Sequence, residues 1–143
     1  MRGALTRGSA EGDAGGLSGF FLRFGVVAAL IGMLMGVAMG VSEDFRLATA
    51  HAHLNLLGWV SMTLYGLFYR VSPASSEGCL PAVQAVCAVA GAGVFVASLG
   101  LKLVGPPALA HAAALGLMVG PALVVTGMGL FALIVFQGTR RAA

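Results

Sequence analysis

The chain has 143 residues, of which 59% are hydrophobic and only 9% charged, and its mean hydropathy of +0.97 is too high for a water-soluble domain of this size. Eight Lys and Arg against five acids give a formal charge of +3, and those charges gather near the ends of the apolar runs. Such a pattern excludes a nucleic-acid-binding patch and leaves the charges to set topology in a lipid bilayer.

Residues 1–17 are rich in Gly, Ala and Ser, carry both charge signs and lack periodicity, so they are expected to form a disordered tail. The membrane domain is expected over residues 18–138. Four apolar runs follow in order, Phe20 to Val41, Ala48 to Tyr69, Leu80 to Val104 and Ala108 to Phe136. Each is near or above the ~20 residues that a spanning helix needs. The first is too long for a signal peptide, and Glu43, Asp44 and Arg46 follow it in place of a cleavage site, so it belongs to the folded domain. Continuous apolar runs in so short a chain cannot close a β-barrel. Short connections make successive helices antiparallel neighbours, and the expected fold is an all-α, up-and-down four-helix bundle embedded in the membrane.

Arg2, Arg7, Arg23, Arg70, Arg140 and Arg141 fall on one side of these spans, and Arg46 and Lys102 on the other. The positive-inside bias then predicts both termini in the cytoplasm, with a bacterial inner membrane as the expected location.

The second run opens with Ala50-His51-Ala52-His53-Leu54-Asn55-Leu56-Leu57-Gly58-Trp59. An ionisable residue inside a membrane helix is costly and therefore a functional candidate. Positions two apart on an α-helix differ by about 200° in direction, so His51 and His53 cannot grip one ion from one face and must address two different neighbours. His111, just past Pro106 and Pro107, is expected at a similar depth, because the second and fourth helices enter from the same side.

Imidazole is a good axial ligand for haem iron, and a porphyrin is a flat apolar plate that fits between helices. A closed copper or zinc site needs three or four convergent ligands, which three histidines without a nearby intramembrane carboxylate supply less economically. Noncovalent haem b held by two histidines is the expected cofactor, copper the poorer fit, and the lack of a CxxCH motif excludes covalent attachment. Arg46 would reach acidic groups at the interface, and Asn55 lies one turn from His51, where it could orient the ring. Each histidine also has a plainer reading as a hydrogen-bonded packing residue, as Asn55 has as a partner of another helix.

His51-Ala-His53, Leu57-Gly58-Trp59, Gly66, Tyr69 and Pro73 resemble the tenth helix of the catalytic subunit of the haem-copper oxidases, especially the C-type branch. The resemblance implies that His51 is an axial ligand to a high-spin haem and His53 to a low-spin haem. It covers about one helix. No counterpart of that family's copper-site histidines or of the associated tyrosine is found, so the resemblance implies haem-based electron transfer without oxygen reduction. That subunit comprises three arcs of four helices, and this chain supplies one. A homotrimer resembling the twelve-helix core follows as an expectation, with haem shared between His53 of one protomer and His51 of the next. Pairing His53 with His111 inside one bundle is the competing geometry. The other functional readings are a non-catalytic accessory or assembly subunit of a respiratory complex, and a small copper or haem carrier. Expected partners are the lipid bilayer, further copies of the chain and a redox partner protein.

Gly32, Gly36 and Gly40 on the first helix, and Gly116 and Gly120 on the fourth, form GxxxG steps that allow close helix contact. Trp59 lies too deep for an interfacial belt and is expected in the core or at a haem edge. Met33, Met35 and Met39 read as gap fillers. Cys79 and Cys87 stand about two helical turns apart, too far for a disulfide.

Overall fold

In a computed structural model the backbone is described for residues 2–142 and the side chains for residues 16–138. Apart from short connecting loops the described residues are helical, and no strand occurs among them. Helix α1 spans Arg2–Ser42, and the tail expected at residues 1–17 lies, but for its last two residues, outside the described side chains. Helix α2 (Ala48–His53), a π-helical segment (Leu54–Ser61) and α3 (Met62–Val71) run on without a break as one rod. A 3₁₀ turn at Pro73–Ser76 leads to α4 (Cys79–Val104), and a second at Pro107–Leu109 leads to α5 (Ala110–Ala142).

Three stretches are long and apolar enough to cross a bilayer, Gly16–Ser42, Cys79–Val104 and Pro107–Gly138. The rod, residues 48–71, is about 35 Å long at ~1.5 Å per residue, which also matches the hydrocarbon core. Large apolar side chains are exposed along every helix, among them Val26, Leu30, Leu34, Leu64, Val86, Leu115 and Met118. For an integral membrane protein these surfaces meet lipid, where their exposure costs nothing.

Close approaches fix the helix order. Along α1 and the rod, Gly36 faces His51, Gly32 faces Asn55, Gly25 faces Thr63 and Gly66 faces Leu22, so the two run antiparallel. On α4 and α5, Gly116 meets Ser98, Gly120 meets Phe95, Gly127 meets Ala88 and Gly91 meets Leu123 and Val124. Glycine is required at Gly120, where a Cβ would stand 2.6 to 2.8 Å from the Phe95 backbone and Cβ. The GxxxG steps therefore serve contacts within the chain, except Gly40, whose added Cβ would meet open space.

The two ends of the bundle differ. At the end where α1 enters its apolar stretch and the rod finishes, Phe21, Tyr65, Tyr69, Ala85 and Ile134 form the buried core with Phe24, Phe68 and Phe131 packed against it. Phe21 stacks on Tyr69 at 5.9 Å, and Tyr65 lies 4.6 Å from Phe131. Two interior polar groups are satisfied here, with Ser18 Oγ donating to the Gly66 carbonyl at 2.9 Å and Tyr69 Oη donating to Gln84 Oε1 at 3.2 Å. Gln84 is fully buried, and its Nε2 has no partner. At the histidine end the buried residues are mostly small, Ala50, Ala113 and Ser98 with Met39.

Candidate functional site

The rod carries the site. Its residues facing α1 are His51, Asn55, Gly58, Thr63 and Gly66, opposite Gly36, Gly32, Ala28, Gly25 and Leu22. On the rod the step from Gly58 to Thr63 is five residues, where an α-helix would use three or four. That long step lies at the π-helical stretch, whose i→i+5 bonding holds more residues per turn. Ser61 Oγ donates to the Leu56 carbonyl five residues back at 2.9 Å, which reinforces the wider winding. Such segments are rare and occur often at functional sites. Nothing in the local composition signals this one.

The two imidazoles diverge, as their spacing requires. His51 is half-buried against α1, where a Cβ at Gly36 would stand 3.3 Å from its Cε1. His53 turns toward α4, its ring edge-on to Phe95 with centroids 4.9 Å apart. His53 Nδ1–H donates to the Thr49 carbonyl at 2.8 Å. Because a carbonyl can only accept, the neutral ring carries its proton on Nδ1 and keeps the Nε2 lone pair free, the arrangement in which imidazole ligates a metal.

Asn55 lies against His51, as its position one turn on predicts. Its Nδ2 donates to the His51 carbonyl at 2.9 Å and stands 3.4 Å from both ring nitrogens. Equal distances to two nitrogens on opposite sides of Cε1 do not describe an in-plane bond to either, so the amide braces the ring without taking a lone pair.

The remaining candidates stand apart. His111 is exposed, at the start of α5. Arg46 is bound within its own loop, with Nη2 at 2.6 Å from Asp44 Oδ2 and Nε at 3.0 Å from both carboxylate oxygens. That guanidinium, by its side-chain hydrogen bonds first, holds the Asp44 carboxyl down at about 2. The Asp-x-Arg spacing was a signal for this pair. Of the two placements expected of Trp59, in the core or at a haem edge, the core one does not hold, since the side chain is 45% exposed. Leu57 faces the interior and Gly58 faces α1, so a further rotation of ~100° brings Trp59 to the outer surface. Cys79 and Cys87 are free thiols. Among the described residues no three His, Cys, Asp or Glu side chains converge as a metal-holding group.

Sequence reasoning missed the buried Tyr69 and Gln84 pair and a pocket of about 430 Å³ between the 3₁₀ turn, α4 and the end of α5, lined by Phe68, Glu77, Leu80 and Ile134 among others. Neither that pocket nor a smaller one of about 30 Å³ beside Tyr65 and Met128 touches a histidine. No family model, curated protein or solved structure matches the chain.

Proposed function

We propose that the chain is a four-span membrane haem protein that moves electrons, with His53 and His51 as axial ligands directed to two separate haem positions. The observation that supports this reading best is the state of His53. Its ring is oriented by the Thr49 carbonyl and Phe95, and its Nε2 takes no hydrogen-bond partner among the described residues. A packing histidine in such a place gains by bonding both nitrogens. His51 fits the same role, since its ring is braced by Asn55 while neither nitrogen accepts an in-plane bond. Haem b would supply a one-electron iron couple, and two imidazoles on one iron leave no open position for oxygen.

Because the two rings of one chain diverge, two ligands for one iron come most simply from two copies. A homotrimer in which His53 of one protomer and His51 of the next share a haem meets that need with closed symmetry. The exposed apolar surfaces of α1 and α5 leave room for such contacts. The resemblance of the HxH and Leu-Gly-Trp residues to the oxidase helix supports the same assignment. Both termini on the cytoplasmic side of a bacterial inner membrane, and a redox partner protein at the histidine end, complete the proposal.

The test is an absorption spectrum of detergent-purified protein, oxidised and reduced, with haem per protomer and oligomer mass measured on the same sample. Expected are a Soret band, a reducible α-band and equal numbers of haems and protomers in a trimer. His53→Ala and His51→Ala each abolish the bands, while His111→Ala retains them. Loss of haem in His111→Ala with the oligomer intact would transfer the assignment to the intrachain His53 and His111 pair. A folded, colourless wild type reconstituted with excess haem refutes the reading and leaves the accessory-subunit role.

A further inference from the structure

Arg23 is the only charged residue in the apolar stretch Gly16–Ser42. It stands two residues before Gly25, which packs on the rod at Thr63, so its side chain leaves α1 about 200° from that contact and is exposed on the lipid side. Among the described residues it has no ion pair, the one salt bridge joining Arg46 to Asp44 at the opposite end of the bundle. A bare cation in hydrocarbon is costly, so a guanidinium there either runs along its own helix to the headgroups or takes an anion as partner.

The Arg23 side chain does run along its helix. Its Nη2 lies 4.0 Å from the point that a Cβ on Gly19 would occupy, one turn back toward the end where α1 enters its apolar stretch. Nothing else comes within 4 Å of that point, and a Cβ on Gly16 would meet open space. Gly16, Gly19, Phe20 and Arg23 recur at helical spacing, so one face carries two bare stretches of backbone, an exposed ring and the guanidinium. The height agrees with this course. At ~1.5 Å per residue Arg23 is about 28 Å from Ser42, close to the ~30 Å thickness of the hydrocarbon, so with Ser42 at one surface the guanidinium reaches the phosphates of the other. The contact of Gly66 with Leu22 sets the height of the rod, which brings the exposed Arg70 level with Ser18 and adds a second cation to the same interface.

We infer that Arg23 holds the phosphate of an anionic phospholipid over Gly19, which makes this face of α1 a headgroup seat in the leaflet where the rod ends. The planar guanidinium presents paired N–H donors to two phosphate oxygens. The bare backbone at Gly16 and Gly19 lets the headgroup lie close, and the exposed Phe20 ring packs beside the glycerol. A zwitterionic lipid brings its own cation with the phosphate, which the charges of Arg23 and Arg70 repel, so a net negative headgroup is preferred. The lipid is the source of the phosphate because the side chain opens onto the bilayer. The seat is independent of haem, since the histidines lie at the other end of the bundle.

The experiment places a single tryptophan beside the seat, Phe20→Trp with Trp59→Phe, in the full chain in phosphatidylcholine vesicles. Quenching of its fluorescence by brominated phosphatidylglycerol is compared with quenching by brominated phosphatidylcholine. Phosphatidylglycerol is expected to bind about fivefold more tightly at low salt. Arg23→Gln in the same background is expected to bring the ratio to about one. With the tryptophan at Leu34 instead, exposed farther along α1, no such preference is expected. Should Arg23→Gln fail to insert, Gly19→Leu keeps the charge but fills the seat, and is expected to lower the preference about twofold or more, because the headgroup is held off the helix. Equal quenching by the two lipids in the protein that keeps Arg23 and Gly19, a preference that survives Arg23→Gln or Gly19→Leu, or an equal preference at position 34 would overturn the assignment.

Discussion

Gly120→Ala tests the link between helix packing and the histidine end. A Cβ there would stand 2.6 Å from Phe95 N, 2.7 Å from its Cα and 2.8 Å from its Cβ. Two of these atoms are backbone of α4, so no rotamer change makes room and the helices must part. Overpacking of this kind costs about 1–3 kcal/mol. The usual gain from Gly to Ala in a helix does not offset it, because a membrane helix stays hydrogen-bonded when it separates from its neighbours. Gly129 on the same helix has no atom within 4 Å of an added Cβ. Gly129→Ala should therefore shift stability by less than about 0.5 kcal/mol. Reversible unfolding in mixed micelles of sodium dodecyl sulfate and dodecyl maltoside, followed by circular dichroism, measures both. Phe95 also stacks edge-on against His53, so a displaced α4 should move any His53-dependent absorption band in Gly120→Ala alone. Equal stabilities of the two variants would refute the close packing of α4 on α5 and with it the placement of Phe95.

Three further outcomes follow from other positions. Glu43 closes α1 with a φ of 54°, a left-handed conformation that glycine adopts freely, so Glu43→Gly should stabilise the chain by about 0.5–1 kcal/mol in the same unfolding assay. Asp44 should titrate at about 2 by NMR and rise toward the ordinary aspartate value in Arg46→Ala. A carboxyl whose folded value is depressed stabilises above its unfolded value and loses that contribution as pH falls through about 2, so the loop should loosen only in strong acid. Tyr69→Phe leaves the buried Gln84 amide with no partner for its Oε1 as well as its Nε2 and should cost about 1–3 kcal/mol, whereas adding Gln84→Leu should recover most of it, a coupling that a double-mutant cycle reads directly.

Hydropathy and spacing foretold much of the fold. The third expected span, Leu80 to Val104, differs from α4 by one residue, and the second starts at Ala48 as the rod does. The divergence of His51 and His53 follows from helical angle alone, and so does the nearness of Asn55 to His51. What escaped reading depended on contacts distant in sequence or on backbone winding. Gln84 looks like any polar residue near a helix start until Tyr69, fifteen positions earlier, is seen to donate to it. The depth of Trp59 along the rod was legible, but that it turns away from the core depended on which neighbours lay beside Leu57 and Gly58. The pocket at Glu77 and Leu80 is enclosed only when the end of α5 returns beside the 3₁₀ turn.

The five-residue step from Gly58 to Thr63 has a further consequence. The rod holds one amino acid more than its alignment with α1 demands, taken up as slack in the winding. Excising a single residue between positions 59 and 61 should therefore draw the loop of slack tight and leave His51 on Gly36 and Gly66 on Leu22 undisturbed. The same excision between His53 and Asn55, or below Thr63, should swing one half of the rod by ~100° and take half of its partners with it. A lipid-embedded helix usually forbids shortening, and this one carries a place where a codon can be lost.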